Sequence, residues 1–308
     1  KTLLTTDCSK DFLRMTIFLS CAALTAIIQL VGFTLAYILQ TEKFYDILGG
    51  LNFLILGVYS ANDWKSWSGD PRKVVMTALF IISRSWLLIF LAWRAHERKG
   101  DSRFDGVKDN FSLFLLYWTV QALWVFFISL PIIFINSSTT TGTELTTLDI
   151  ICIVEFGIGV VIEIMGDIQK ALWVKGGRKG TFCTVGIWKL SRHPNYFGEI
   201  QQWWAAWAFS YGSGTGCGDI RWWFGILSPL FTMQILLNTA GTGVANANGK
   251  NLKRYYDQCP KEYAEYRKST SILIPMVGYK YAPLFLKRSL FMDFETYEYK
   301  ERVNVKDA

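Results

Sequence analysis

Seven stretches of this chain are too apolar for water and long enough, or nearly so, to cross a bilayer. That single feature limits the fold more than any other, because a crossing helix needs about 20 mostly apolar residues. Residues 15–39, 74–93, 111–135 and 148–173 meet the requirement outright, and 44–60, 196–212 and 222–241 complete the set. Every backbone N–H and C=O in hydrocarbon must be satisfied within the segment, which favours helices. The expected fold is all-α: a polytopic membrane helical bundle of about seven transmembrane helices. The 13 Trp, 14 Tyr and 22 Phe agree with a membrane protein, since a soluble domain rarely carries so many aromatics. No charged n-region with a small-residue cleavage pattern precedes the first run, so none of it reads as a signal peptide.

Seven spans divide the connecting loops between two faces. Residues 40–46, 94–110 and 174–195 hold eleven Lys and Arg, against four in 61–73, 136–147 and 211–221. The positive-inside rule puts the first group, and the basic tail after 241, on the cytoplasmic or matrix side. The formal net charge of +7 therefore reflects topology, with an anionic ligand as a second contributor. Nucleic acid is not an expected partner, because the charges are scattered over membrane loops and no nucleic-acid-binding motif is present. "GSGTGCG" (212–218) follows no strand and opens no nucleotide-binding helix, so it reads as a turn. The six cysteines show neither CxxC nor metal-ligand spacing, and no metal site is expected.

Ionisable groups inside a span are expensive and mark cavities or pathways. The fifth apolar run carries Glu155, Glu163, Asp167 and Lys170. Their spacing suggests one helical stripe of acids, with Asp167 and Lys170 close enough along the helix to pair. Either a packing ion pair or a ligand role accounts for them, and Arg84 in the third run poses the same choice.

The densest polar group is "KLSRHPNYFGEIQQWW" (189–204). Pro194 pushes His193 towards extended backbone, Asn195 can cap the following helix, and Glu199 suits its first turn. Those roles leave Arg192, His193 and Tyr196 unexplained, so the stretch is either a loop anchor or a ligand site.

"GIWKLSRHPNYFGEIQQWW" closely resembles the signature of the steroid 5-alpha-reductase-like membrane family, in the branch once catalogued as a domain of unknown function. The likeness extends to "RSWLLIFLAWRAHERKGDSRFD" (84–105), "GDIQKALW" (166–173) and "EYAEYRKSTSILIP" (262–275), in family order across about 45–278. It implies a single transmembrane reductase-like domain over 1–278, with 279–308 as a C-terminal extension. It also implies NADPH held by Arg94, Asp101, Arg103, Asp167, Lys170, Arg192, His193, Asn195, Tyr196, Glu199, Tyr263 and Tyr266. Where many relatives have Gly-apolar-Pro and then Glu, this chain has Ala245 and Asn248. Asp46 is the nearest analogue of the early-span acid that polarises the substrate carbonyl; Tyr45 and Glu155 are further candidates.

The resemblance leads to an integral-membrane NAD(P)H-dependent reductase of the C=C bond in an enone-type lipid or sterol. The membrane would be that of the endoplasmic reticulum or the mitochondrial inner membrane, with lipids as partners. Two rivals remain. One is a catalytically reduced member serving as a structural subunit of a larger membrane complex. The other is an S-adenosylmethionine-dependent methyltransferase for lipids or isoprenylcysteine, since those enzymes share the shorter Arg-His-Pro-x-Tyr-x-Gly motif.

Overall fold

A computed structural model describes residues 2–61, 67–97, 101–139, 144–178, 182–213, 216–239, 243–244, 250–294 and 297, without side chains at 2–13, 102 and 250–251. Ala245 and Asn248 fall outside the described residues. Helices dominate those residues: α1 Thr2–Ile38, α2 Tyr45–Ser60, α3 Pro71–Glu97, α4 Phe111–Ser137, α5 Thr147–Lys175 and α6 Pro194–Phe209. The seventh apolar run is helical in pieces, α7 Ile220–Gly225 and α8 Leu227–Met233 followed by a π-helical turn at Gln234–Asn238. The chain is thus an all-α polytopic helical bundle.

Among the described residues, four stretches are long and apolar enough to cross a membrane by length and composition: Arg14–Ile38, Pro71–Glu97, Phe111–Ser137 and Ile220–Asn238. Helix α2 is apolar but shorter. Helix α5 carries Asp149, Glu155, Glu163 and Asp167, yet it exposes Leu148, Ile151, Val154, Ile158, Val161, Met165, Ile168 and Leu172. At 1.5 Å per residue this outward apolar stripe runs about 36 Å, more than the hydrocarbon core needs. Glu155 is exposed as well, whereas Glu163 and Asp167 are buried. The acids therefore do not share one stripe. Eight and twelve residues at about 100° each rotate Glu163 and Asp167 well away from Glu155.

The residues cluster into two compact units, 1–157 with 201–232, and 158–200 with 233–308. In the first unit α1 packs on α2 and α4, and α2 packs on α3 and α4. Its core is aromatic: Phe80 packs edge-on to Phe53 and Trp203, and these two rings flank the fully buried Arg84, whose guanidinium lies 4.7 Å from the Trp203 ring centre and 5.5 Å from that of Phe53. Such contacts, with the 2.9 Å hydrogen bond to Ser83 Oγ, help offset the cost of burying the charge. A polar chain crosses the same interior, with Gln121 donating to Gln29 and Gln29 to Asn52, at 2.9 and 3.0 Å. Interhelical amide bonds of this kind hold membrane helices together where hydrophobicity gives no preference.

Ion pairs and hydrogen bonds tie the loops of this unit together at each end. Glu42 pairs with Lys108 at one end, where 40–46 meets 101–110. At the other, Arg72 pairs with Asp149, Lys73 donates to the Ser138 carbonyl at 2.7 Å, and Ser138 donates to the Ser213 carbonyl.

The second unit is built from the C-terminal half of α5, the 3-10 turn Gly186–Lys189, the start of α6, and the tail helices α9 Lys250–Gln258, α10 Pro260–Ser269 and α11 Leu284–Arg288. Gly198 sets the α5–α6 approach: a Cβ there would stand 2.5 Å from the Gly159 carbonyl oxygen. Small residues permit such close crossings in membrane bundles, which gives the glycine of the 189–204 stretch a packing role.

Candidate functional site

In the first unit, residues from three separate stretches converge on one pocket of about 530 Å³. Its lining includes Lys43, Asp46, Arg94, Asp101, Arg103 and Phe104. Arg103 Nη2 lies 2.8 Å from Asp46 Oδ2, and Arg94 Nη2 lies 3.5 Å from the same oxygen. Asp101 accepts from Arg103 Nε at 2.8 Å and from its backbone N–H at 3.0 Å, an Asx-type turn that presets the arginine. Partial burial pushes the Asp101 carboxyl up, but the hydrogen bonds and charge of Arg103 outweigh it and hold the group below the usual carboxylate range. Glu42 follows the same pattern: burial opposes ionisation, and Lys108 prevails. Three residues expected to bind cofactor, Arg94, Asp101 and Arg103, thus gather around one expected to be catalytic, Asp46.

The other two catalytic candidates of that unit stand apart in role. Tyr45 donates its hydroxyl to the Tyr117 carbonyl at 2.8 Å and packs edge-on to Phe104 and Trp118, which makes it a helix anchor. Glu155 is not among the pocket's lining residues; it accepts from Gln201 on the exposed side of α5.

In the second unit the 186–199 stretch is tied into the tail. Gly186 takes positive φ, and the next N–H donates to Gln169 Oε1 at 2.9 Å. Trp188 donates to the Gly166 carbonyl at 3.0 Å, and Tyr266 Oη donates to the Trp188 carbonyl at 2.6 Å. Ser191 bridges to Ser271, and Arg192 N–H donates to the Ser271 carbonyl at 2.8 Å. The Arg192 guanidinium then reaches the Thr270 carbonyl at 3.2 Å and Asp293 at 2.6 Å, while Tyr279 Oη donates to Asp293 at 2.8 Å.

His193 stacks on Tyr196 with ring centres 5.3 Å apart. Removal from bulk water, then the charges of Arg192 and Lys170, press its imidazole down to about 3, so it is neutral at pH 7. Asn195 donates to Asp167 at 3.1 Å, and Glu199 is buried. Lys170 does not turn to Asp167; its ammonium lies over the Trp188 and Trp173 rings, at 4.4 and 5.0 Å. Tyr263 and Tyr266 pack with Phe182, and burial raises Tyr263 to about 12 and Tyr266 further.

Asp293, Tyr279, Gln169 and Trp188 are the contributors that sequence inspection passed over. Asp293 lies 101 residues from Arg192, and no local pattern connects them. Among the described residues, no group of His, Cys, Asp and Glu could hold a metal ion.

A family model described as "Protein of unknown function (DUF1295)" matches residues 32–270. The chain belongs to that family. No curated protein and no solved structure matches it. The DUF1295 match covers both polar groups, the pocket around Asp46 and the 186–199 stretch, and stops short of Asp293.

Proposed function

We propose that this chain is an integral-membrane reductase that uses NADPH to saturate the C=C bond of an enone-type lipid or sterol. The observation that carries the reading is the first unit's pocket, where Arg94 and Arg103 reach one cavity from different elements. A phosphorylated dinucleotide suits that donor set. Two guanidiniums offer paired N–H groups to phosphate oxygens, and Lys43 adds a point charge. Asp46 and Asp101 hold the guanidiniums in place, and a carboxylate oxygen can also accept from a ribose hydroxyl. Phe104, Ile47 and Ala92 give the pocket an apolar wall.

NADPH, when bound, supplies the hydride that goes to the carbon beta to the carbonyl. The chain's own work is to hold the cofactor and the lipid, exclude water, and stabilise charge on the carbonyl oxygen. Asp46 fits a positioning role, because its carboxylate already faces two guanidiniums. Tyr45 fits an anchoring one, since its proton already points at a carbonyl. The likeness to the steroid 5-alpha-reductase-like family contributes the cofactor and the class of bond.

A second reading, a structural subunit of a larger membrane complex, is favoured by one contact. Arg192, expected to bind cofactor, gives its guanidinium to Thr270 and Asp293 of its own tail. The experiment is to purify the full chain in lipid nanodiscs, then identify the bound small molecule by mass spectrometry. NADP(H) supports the reductase, and S-adenosylmethionine the methyltransferase. A chain that carries neither and cannot be loaded with NADPH is a structural subunit.

A further inference from the structure

The tail of the second unit has a surface that neither reading uses. Val277, Tyr281, Leu284, Phe285 and Leu290 are between 62 and 87 % exposed. They lie within fourteen residues whose helix, α11, is only five residues long and cannot cross a membrane. Clustered large apolar side chains at that exposure mark a contact with something apolar.

Beside them α10 and α11 enclose a pocket of about 260 Å³, several times the roughly 30 Å³ share of one water in the liquid. Arg267, Lys268, Lys287 and Arg288 line it, and Asp293 is the one carboxylate among its lining residues. That acid already serves Arg192 and Tyr279. Three of the cations also donate to neutral oxygens. Arg267 donates to Tyr256 Oη at 2.6 Å, Lys287 to the Lys268 carbonyl at 3.2 Å, and Arg288 to the Asp293 carbonyl. Lys287 also sits 4.4 Å from the Tyr279 ring centre, which fixes it at the pocket wall.

A basic pocket flanked by exposed apolar side chains matches a molecule with a phosphate at one end and hydrocarbon at the other. Loop charge also assigns the tail to the basic side of the membrane, where anionic lipids attract polybasic segments. We propose that residues 277–294 lie in the membrane interface and that their pocket holds the phosphate of an anionic phospholipid, whose chains run beside Leu284 and Phe285. An interfacial element of this kind gains from buried apolar area and from cation–headgroup attraction together. The inference does not rest on the reductase reading.

The test is native mass spectrometry of the full chain released from nanodiscs containing phosphatidylglycerol and phosphatidylcholine. The wild-type chain should retain phosphatidylglycerol preferentially. Each cation replaced, as in Lys268→Gln or Lys287→Gln, should weaken retention about fivefold, following the roughly 1 kcal/mol that a basic residue contributes near an anionic surface. Leu284→Ser with Phe285→Ser should lower retention of both lipids. Lys268 is exposed, so Lys268→Gln reports on the pocket even if a multiple variant fails to fold. Equal retention of the two lipids overturns the proposal, as does undiminished retention by Lys268→Gln and Lys287→Gln. So does displacement of the lipid by inorganic phosphate, which would mark a soluble-anion site, or a co-purified protein seated on Leu284 and Phe285.

Discussion

Arg72–Asp149 and Arg103–Asp46 close opposite ends of the same unit with the same chemistry, a guanidinium on a carboxylate at 2.7 and 2.8 Å. Their surroundings differ. The first pair is 6 and 1 % exposed, and Thr146 adds its N–H and hydroxyl to the same acid at 2.7 and 2.8 Å. The second is 27 and 18 % exposed, opens on a 530 Å³ pocket, and has a second arginine and a second acid nearby. A sealed pair, its bonds gathered on one carboxylate oxygen and shut off from any ligand, can only hold the fold. An open pair with spare donors can exchange part of its partnership for a ligand.

The sharpest way to break that contrast is to remove one acid from each pair. Asp149→Ala should cost roughly 3–5 kcal/mol, because it strands a buried guanidinium, whereas Asp46→Ala should cost about 1 kcal/mol or less. Thermal unfolding of both variants in one detergent measures this, and equal losses would erase the distinction. Arg94→Gln with Arg103→Gln should cost about 1–2 kcal/mol, well short of Asp149→Ala, because these half-buried guanidiniums also pair with Asp46 and Asp101. On the proposed reading, NADPH binding would fall roughly a hundredfold or more, at about 1.5–3 kcal/mol per charged hydrogen bond. Fluorescence titration in nanodiscs reads it.

Acid should separate the two units. Asp101 and Glu42 have folded values below the ordinary carboxylate range, so their stabilisation is complete above about pH 4 and lost as pH falls through those lower values. His193 titrates near 3 in the folded chain and near 6.5 when unfolded, so protons favour the unfolded second unit over that whole window. Between pH 6.5 and 5, wild type should therefore lose denaturant resistance faster than His193→Gln. Parallel slopes would contradict a neutral His193. The smallest effect belongs to Lys108→Ala, which removes a half-buried pair with Glu42 and should cost about 1 kcal/mol or less by the same melting assay.

Periodicity and run length made the helices legible, since α1, α3 and α4 need little beyond their own apolar residues. The grouping of Asp46, Arg94, Asp101 and Arg103 was readable in part, because loops of one charge class end up together. What each residue does there was not. Nothing local in the sequence tells that the Tyr45 hydroxyl donates to the Tyr117 carbonyl, 72 residues away. Lys170 looks like the partner of Asp167 at a three-residue spacing, but two tryptophan faces outcompete the acid in placing its ammonium. Helical spacing fixes which side chains can meet. Which of them do meet depends on partners contributed by distant segments.

The hook between Arg192 and Asp293 sets a timetable for making this protein. Ribosomes add roughly 5–20 residues per second, so the 101 residues separating the two leave Arg192 waiting on the order of 5–20 s for its acid. For most of that delay the Thr270 and Ser271 carbonyls and Tyr279 are missing as well, and the 186–199 stretch has the α5 contacts of Gln169, Gly166 and Asp167 to hold its shape. A nascent chain halted before Asp293 would present an unmatched guanidinium in a half-built fold, a natural flag for chaperones and for the proteases that clear unfinished membrane proteins.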